Sequence, residues 1–516
     1  MSAQQSGARR RIRSLATPVG LALALAATVL TGCDPTGKTA APASPTARPS
    51  AAASPTGDGV TGPRPTTAAP ATSRPAPTLA PPTPTPVPGG RTAGAGIGGP
   101  TWGPDRLPPT RGGRYLYVSG RGDDRNDGLS RARPLRTLAR AARLTDPGDT
   151  VLVDDGEYSA PGRPTVVAIE RSGTAARPIT WAALPGARPT VRATGFHGIW
   201  VHASHIIVVG FTITGMEGKL SRAQIAAAAR GDVSDPAVSN SCISVSELKN
   251  ANPLRPPTHV QVWGNSVSGC TLGGIVTQLA DYVRVEYNVS TGNGFRSSWG
   301  GSGISLHGNF DSDRNTGYRN HVRGNVSCDN ANYNRSHASG LTKVQDGNGI
   351  IIDYFNRPPR ASRAYTGRTL IENNIVCRNG GRGINVFNSS YVDVVNNTAY
   401  HNAWHPEIDG DLTIVRGTDV RVVNTIVVAR PGEIALSAGG TNVRLDHNLV
   451  VGPYRAPADR ALLTADPRFV DPVKGDFRLR PGSPAIDRGT RTLAPRTDAH
   501  RRPRAGVADR GAVERG

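Results

Sequence analysis

Gly383-Ile384-Asn385-Val386-Phe387, Tyr391-Val392-Asp393-Val394-Val395-Asn396-Asn397 and Thr398-Ala399-Tyr400 follow one another with little between them. Each is short, rich in β-branched residues and alternates apolar with polar, which is the pattern of a strand with one buried face. Both signatures in this stretch recur on either side of it. A strand ending in asparagine returns at 262–265, 285–288, 322–325, 371–374, 422–424 and 445–448. A glycine-led strand returns at Gly274-Ile275, Gly303-Ile304 and Gly349-Ile350, with Asp411-Leu412 and Glu433-Ile434 as variants. The two interleave, one of each per turn.

Nine residues separate Asn265 from Gly274 and Asn374 from Gly383, and 14 separate Gly274 from Asn288 and Gly383 from Asn397. The bare period is therefore 23, a stacked coil made of strands. Asparagine recurs because a tight bend between strands needs a residue that tolerates the left-handed conformation and can bond its stacked neighbours. That column is structural. About 400 residues with no second linker favour one repeat architecture over several compact domains.

These motifs resemble the pectate-lyase-like right-handed parallel β-helix superfamily, with the three quoted segments as its first, second and third strands and an asparagine ladder at the second turn. Tyr115-Leu116-Tyr117-Val118, Asn126-Asp127-Gly128 and Pro147-Gly148-Asp149 resemble the opening of such domains, in which a short helix, here about 135–144, plugs the coil. Asp466-Pro467-Arg468-Phe469 and Gly482-Ser483-Pro484 resemble the segment that closes them. The resemblance implies an all-β fold: a single-stranded right-handed parallel β-helix of three sheets with a short N-terminal capping helix.

The N-terminus is a different object. Arg9 to Arg13 supply a basic region, 15–30 an apolar one, and Leu30-Thr31-Gly32-Cys33 resembles a bacterial lipobox. Residues 1–33 read as a lipoprotein signal with Cys33 lipidated, and 34–112 as a disordered Pro/Thr/Ala-rich linker reaching at most roughly 240 Å if polyproline II. Residues 113–516 form the β-helix domain, with a closing segment from about 460. The expected location is the outer face of the cytoplasmic membrane, lipid-anchored and extending into or through the cell wall. The chain is expected to be a monomer.

Sixty Lys and Arg against 39 Asp and Glu make the formal charge +21. The arginines are scattered and no basic run is interleaved with aromatics, so no nucleic-acid partner is expected. A positive exported body suits an acidic polysaccharide. Apart from Cys33, four cysteines remain. Cys328 and Cys377 each lie three residues past a ladder asparagine and should stack at ~4.8 Å, within disulfide reach, as a bond or as two thiols. Cys242 and Cys270 fit less well.

The long insertions flank the glycine-led strand on consecutive middle coils. From Asn288 to Gly303, Gly303 to Asn325, Asn325 to Gly349 and Gly349 to Asn374 the spacing exceeds the bare intervals of 9 and 14. Insertions that wall one strand face make a cleft. Its floor is the outward face of 303–307, 349–353 and 383–387, where alternation exposes Ser305, His307, Asp353, Asn385 and Phe387. His307 beside Asp353 makes an acid/base pair or a surface ion pair. Asp346, Asn348 and Asp353 can supply calcium with oxygens, and Asp311-Ser312-Asp313-Arg314-Asn315 is a weaker calcium signal.

In the lyases that this chain resembles, calcium neutralises a uronate carboxylate and Lys or Arg removes the carbon-bound proton before β-elimination. That resemblance implies a lyase on an acidic, uronate-containing glycan, with Lys343 or Arg382 as base or carboxylate clamp and calcium as a possible cofactor; the cleft floor adds His307 as a catalytic candidate and Ser305, Asn385, Arg357 and Phe387 as sugar-binding candidates. Two alternatives stand beside it. One is a glycoside hydrolase pairing Asp353 with Glu407, Asp409 or Asp411; the other is a non-catalytic glycan- or wall-binding module. Tyr354, Phe355 and Trp404 are further candidates to stack on sugar rings.

Overall fold

A computed structural model describes residues 107–247, 255–337, 340–358 and 363–515. The export signal, Cys33 and the linker up to 106 lie outside the described residues. The rest is a right-handed parallel β-helix with three strands per turn. The first face stacks His197–Val201, Ser241–Ser246, Gly273–Gln278, Ile304–His307, Ile350–Asp353 and Ile384–Phe387, all parallel. The second stacks Thr258–Trp263, Asp281–Glu286, Tyr318–Arg323, Arg368–Glu372 and Ser390–Val395. The third stacks the three-residue strands from Thr212–Thr214 to Leu449–Val451.

Inward positions are closed by Ile, Val and Leu. Ile275, Ile304, Ile350, Ile384 and Leu412 form one file, each with 0% exposure. Four isoleucines and a leucine stacked at inter-strand spacing pack closely against one another, which is why the glycine-led strand repeats so faithfully.

The asparagine column is the ladder expected. Asn265 N donates to Asn288 Oδ1 (2.9 Å), Asn288 to Asn325 (2.9 Å), Asn325 to Asn374 (2.9 Å) and Asn374 to Asn397 (2.9 Å). A second ladder was not foreseen. Asn293, Asn330, Asn379 and Asn402 lie five residues after the first set, are also fully buried, and bond one another in the same way until Asp411 ends the column. The spacing Asn-x4-Asn in each coil was the readable signal.

The capping helix is shorter than 135–144. It runs Leu138–Leu144 because the Thr137 hydroxyl caps it, accepting from Arg140 N at 3.1 Å, while Leu135 belongs to the core. A second helix, Arg222–Ala229, was missed although Ser221 and Gln224 form a capping box. Both disulfides are formed, with Cα separations of 4.6 Å for Cys328–Cys377 and 5.6 Å for Cys242–Cys270. The second pair escaped the register argument because Cys270 sits in a turn, off the strand ladder. The closing segment folds over the third face, where Phe469, Phe477 and Leu479 bury Cys328, Cys377, Ile426 and Leu449.

Candidate active site

The first face carries two outward files. Val276, Ser305, Ile351, Asn385 and Thr413 form one; Gln278, His307, Asp353, Phe387 and Val415 form the other. Connections that enter and leave these strands, among them 292–303 and 308–317, bound this strip of the face, which is the candidate trough.

His307 Nδ1 and Asp353 Oδ2 are 3.0 Å apart, and the two side chains are 14% and 20% exposed. Strand pairing alone places them together, one coil apart in the same file. His307 Nε2 is sealed from solvent without a hydrogen-bond partner. His307 thus meets Asp353 through Nδ1, and its Nε2 is not open to solvent. Tyr354 packs between them and Phe387, with ring centroids at 5.8 Å from His307 and 5.4 Å from Phe387.

Asp346 joins this pair from the wall. Burial, with the Asp353 carboxylate nearby, pushes its pKa up to about 7, against the pull of Arg382, His307 and the hydrogen bond from Asn348. Asn348 Nδ2 holds Asp346 Oδ1 at 3.0 Å. The other oxygen lies against Gly300, where a side chain would collide with it. Glycine at 300 thus makes room for the carboxyl, and its positive φ of 85° suits the same residue. Gly300 and Ser302 went unnoticed as site residues in the sequence; Gly300-Gly301-Ser302-Gly303 was the available signal. The site thus sets a carboxyl whose pKa is raised to about 7 by burial beside a second carboxyl group one hydrogen bond from His307.

Arg382 is 18% exposed, with Nη1 on Gln345 O (3.3 Å) and Nη2 on Asp409 (3.4 Å), in the electrostatic field of Asp346. Lys343 is exposed on the same wall, which Val344 N ties to Glu407 at 2.8 Å. Arg357 is exposed on the opposite border, and Ser305 is half-exposed on the floor.

Several expectations are corrected. Asn348 has no exposed surface; its amide bonds Ser302 Oγ and Asp346, and its oxygen accepts from Arg382 N. It holds the wall, not an ion. Asn385 is 4% exposed and accepts from Thr413 Oγ1 at 2.8 Å, so it does not face sugar. Phe355 is core, packed on Tyr365. Asp411 is buried as the end of the second ladder, which removes it from the carboxylate pairs. The acidic run at 311–315 is filled by a protein cation: fully buried Arg319 bonds Asp281, Asp311 and the carbonyls of Asp313 and Asn315. Of the three residues expected to hold calcium, Asn348 is engaged in hydrogen bonds within the wall, which leaves the carboxylates Asp346 and Asp353; among the described residues no three His, Cys, Asp or Glu side chains gather at one point.

No family profile matches the chain. It is 39% identical over 69 residues to the uncharacterized protein YwoF of Bacillus subtilis (strain 168), spanning 13% of this chain and 14% of that one. Among solved structures it is similar to pectate lyase Pel9A (TM-score 0.47, 16% identity, 79% of this chain and 98% of that one). It is also similar to a rhamnogalacturonan lyase (0.38, 13%, 69% and 85%) and to a glycoside hydrolase (0.43, 10%, 71% and 99%).

Proposed function

We propose that the trough cleaves a polysaccharide by hydrolysing a glycosidic bond, with Asp346 as proton donor and Asp353 as base. The observation that carries this reading is the pair itself: Asp346 is held protonated up to about pH 7 in the field of a carboxylate that accepts a hydrogen bond from His307. Asp346 gives its proton to the departing oxygen while Asp353 draws the proton from the attacking water, and the two carboxyls exchange charge over the cycle. Arg382 keeps the charge near Asp346 balanced and lies where a sugar carboxylate would dock.

The test is the purified domain against a panel of neutral and uronate-containing glycans. The expected result is new reducing ends without an unsaturated sugar, unchanged by chelator and abolished in Asp346→Asn. Chelator-sensitive loss would refute the metal-free site. Beta-elimination remains a second reading because Arg382 and Lys343 both flank the trough; unsaturated ends would establish it in place of hydrolysis. Binding without turnover in any arm would leave a glycan-binding module.

The domain works outside the cell, held on lipidated Cys33 by the linker, in this proposal. Cys33→Ala should release the protein into the medium; retention on the membrane would refute the anchor.

A further inference from the structure

We propose that Trp200, fixed between His197 and His202, blocks the trough four coils before the strand that carries Asp353 and so restricts the protein to the ends of glycan chains. The inference rests on the trough being the glycan site.

The floor can be followed upstream by register. Trp200 pairs with Ser244, Ser244 with Val276, and Val276 with Ser305, so one outward file runs from the indole to the residue beside His307. Its neighbour runs through Ser246, Gln278 and His307. Three rungs at ~4.8 Å place Trp200 roughly 14 Å from Ser305. Each rung is comparable to the length of one pyranose. Between the two ends the floor offers Ser244, Ser246, Val276 and Gln278, and on the far side of Trp200 the file continues with Ala168. The largest side chain thus stands as a ridge between small ones, half-exposed.

The ridge is braced. The indole N–H donates to Ser246 Oγ at 2.9 Å. The His202 ring lies against the indole at 4.6 Å and 29°, and the His197 ring at 4.9 Å and 32°. His197 Nδ1 is 2.8 Å from Ser244 Oγ, and His202 is 3.4 Å from Glu170. With two histidine rings against it and its N–H bonded to the next coil, the indole is not free to swing aside, so in this proposal it acts as a stop rather than as a platform on which a sugar ring stacks. The insertion carrying Arg222–Ala229 borders the same end, tied to the next wall by Glu217–Arg296 (3.5 Å) and by the Ser298 hydroxyl on Ala228 O.

The experiment uses the polymer that the wild-type protein cleaves in the panel above, following viscosity and product length together. Wild type is expected to release short products of narrow size while viscosity falls slowly. Trp200→Ala should cut internally, with an early fall in viscosity and a broad ladder of products; Trp200→Phe, which keeps a ring between the histidines, should stay close to wild type. Internal cutting by wild type overturns the proposal. So does a folded Trp200→Ala that binds more weakly but gives unchanged product lengths, the behaviour of a sugar-contacting residue. A protein that neither cleaves nor binds any glycan in the panel overturns the trough reading and this inference with it. Cleavage that survives in Asp346→Asn but shows the Trp200-dependent change in length would fault the acid assignment alone.

Discussion

Replacing Asn374 with alanine tests the ladder on which the trough is built. Asn374 Oδ1 accepts from both the backbone and side-chain nitrogens of Asn325 at 2.9 Å, and its Nδ2 donates to Val322 O at 2.8 Å and Asn397 Oδ1 at 2.9 Å. All three asparagines have 0% exposure. Alanine leaves the Asn325 backbone N–H and one of its amide hydrogens unpaired and takes a donor from Val322. Three buried groups at ~1–3 kcal/mol each sum to about 3–9 kcal/mol, and relaxation of the turn brings the expected loss to about 3–5 kcal/mol. The coil supplies its own calibration. Thr425 occupies the same column, and there Asn397 N reaches the hydroxyl only at 3.4 Å. Asn374→Thr should therefore cost less than alanine, and Thr425→Asn should be neutral or stabilising. Equilibrium unfolding in guanidinium, followed by far-ultraviolet circular dichroism, reads all three. An alanine variant within about 1 kcal/mol of wild type would show that water replaces these bonds freely and would refute the argument.

Asp346 predicts a pH profile. Its folded pKa of about 7 lies above the ordinary 3.8, so activity that needs its proton should fall about tenfold per unit above pH 7, and Asp346→Asn should remove that limb together with turnover. By the same sign, the group's contribution to stability is present at low pH and is lost as pH rises from about 4 to 7; a pH–stability curve unchanged in Asp346→Asn would contradict the shift. Gly300→Ala should displace the Asp346 carboxyl and lower kcat on the order of 100-fold, with a melting temperature that falls modestly from the strained positive φ; full activity would show that the wall has slack. Removing either disulfide by Cys→Ser should cost about 3–4 kcal/mol from loops of 28 and 49 residues, and alkylation without reductant should find none of these four thiols.

The His307–Asp353 pair was legible because it follows from arithmetic. Once the glycine-led strands share a register, period-two alternation decides which residues point out and which of them stack. The third member was legible only as a residue type. Asp346 and Asn348 look interchangeable as oxygen donors two positions apart, yet one reaches the trough and the other turns inward to bond Ser302 and the Arg382 backbone. Similarly, the acidic run at 311–315 carries no sign in itself that the guanidinium of Arg319 fills it.

What the chain alone determined is therefore drawn from what repeats: the coil, its period, the first ladder, the file of buried isoleucines and the placement of His307 on Asp353. Each coil repeats its neighbour's interactions, so a local pattern, read many times, suffices. Tertiary structure decided everything unrepeated: Arg319 among the acids, Cys242 on Cys270, the braced Trp200, and Asp346 against Gly300. A long connection finds its conformation through partners far away in sequence. The proton on Asp346 depends on burial and on a neighbouring charge, and neither exists until those partners have met.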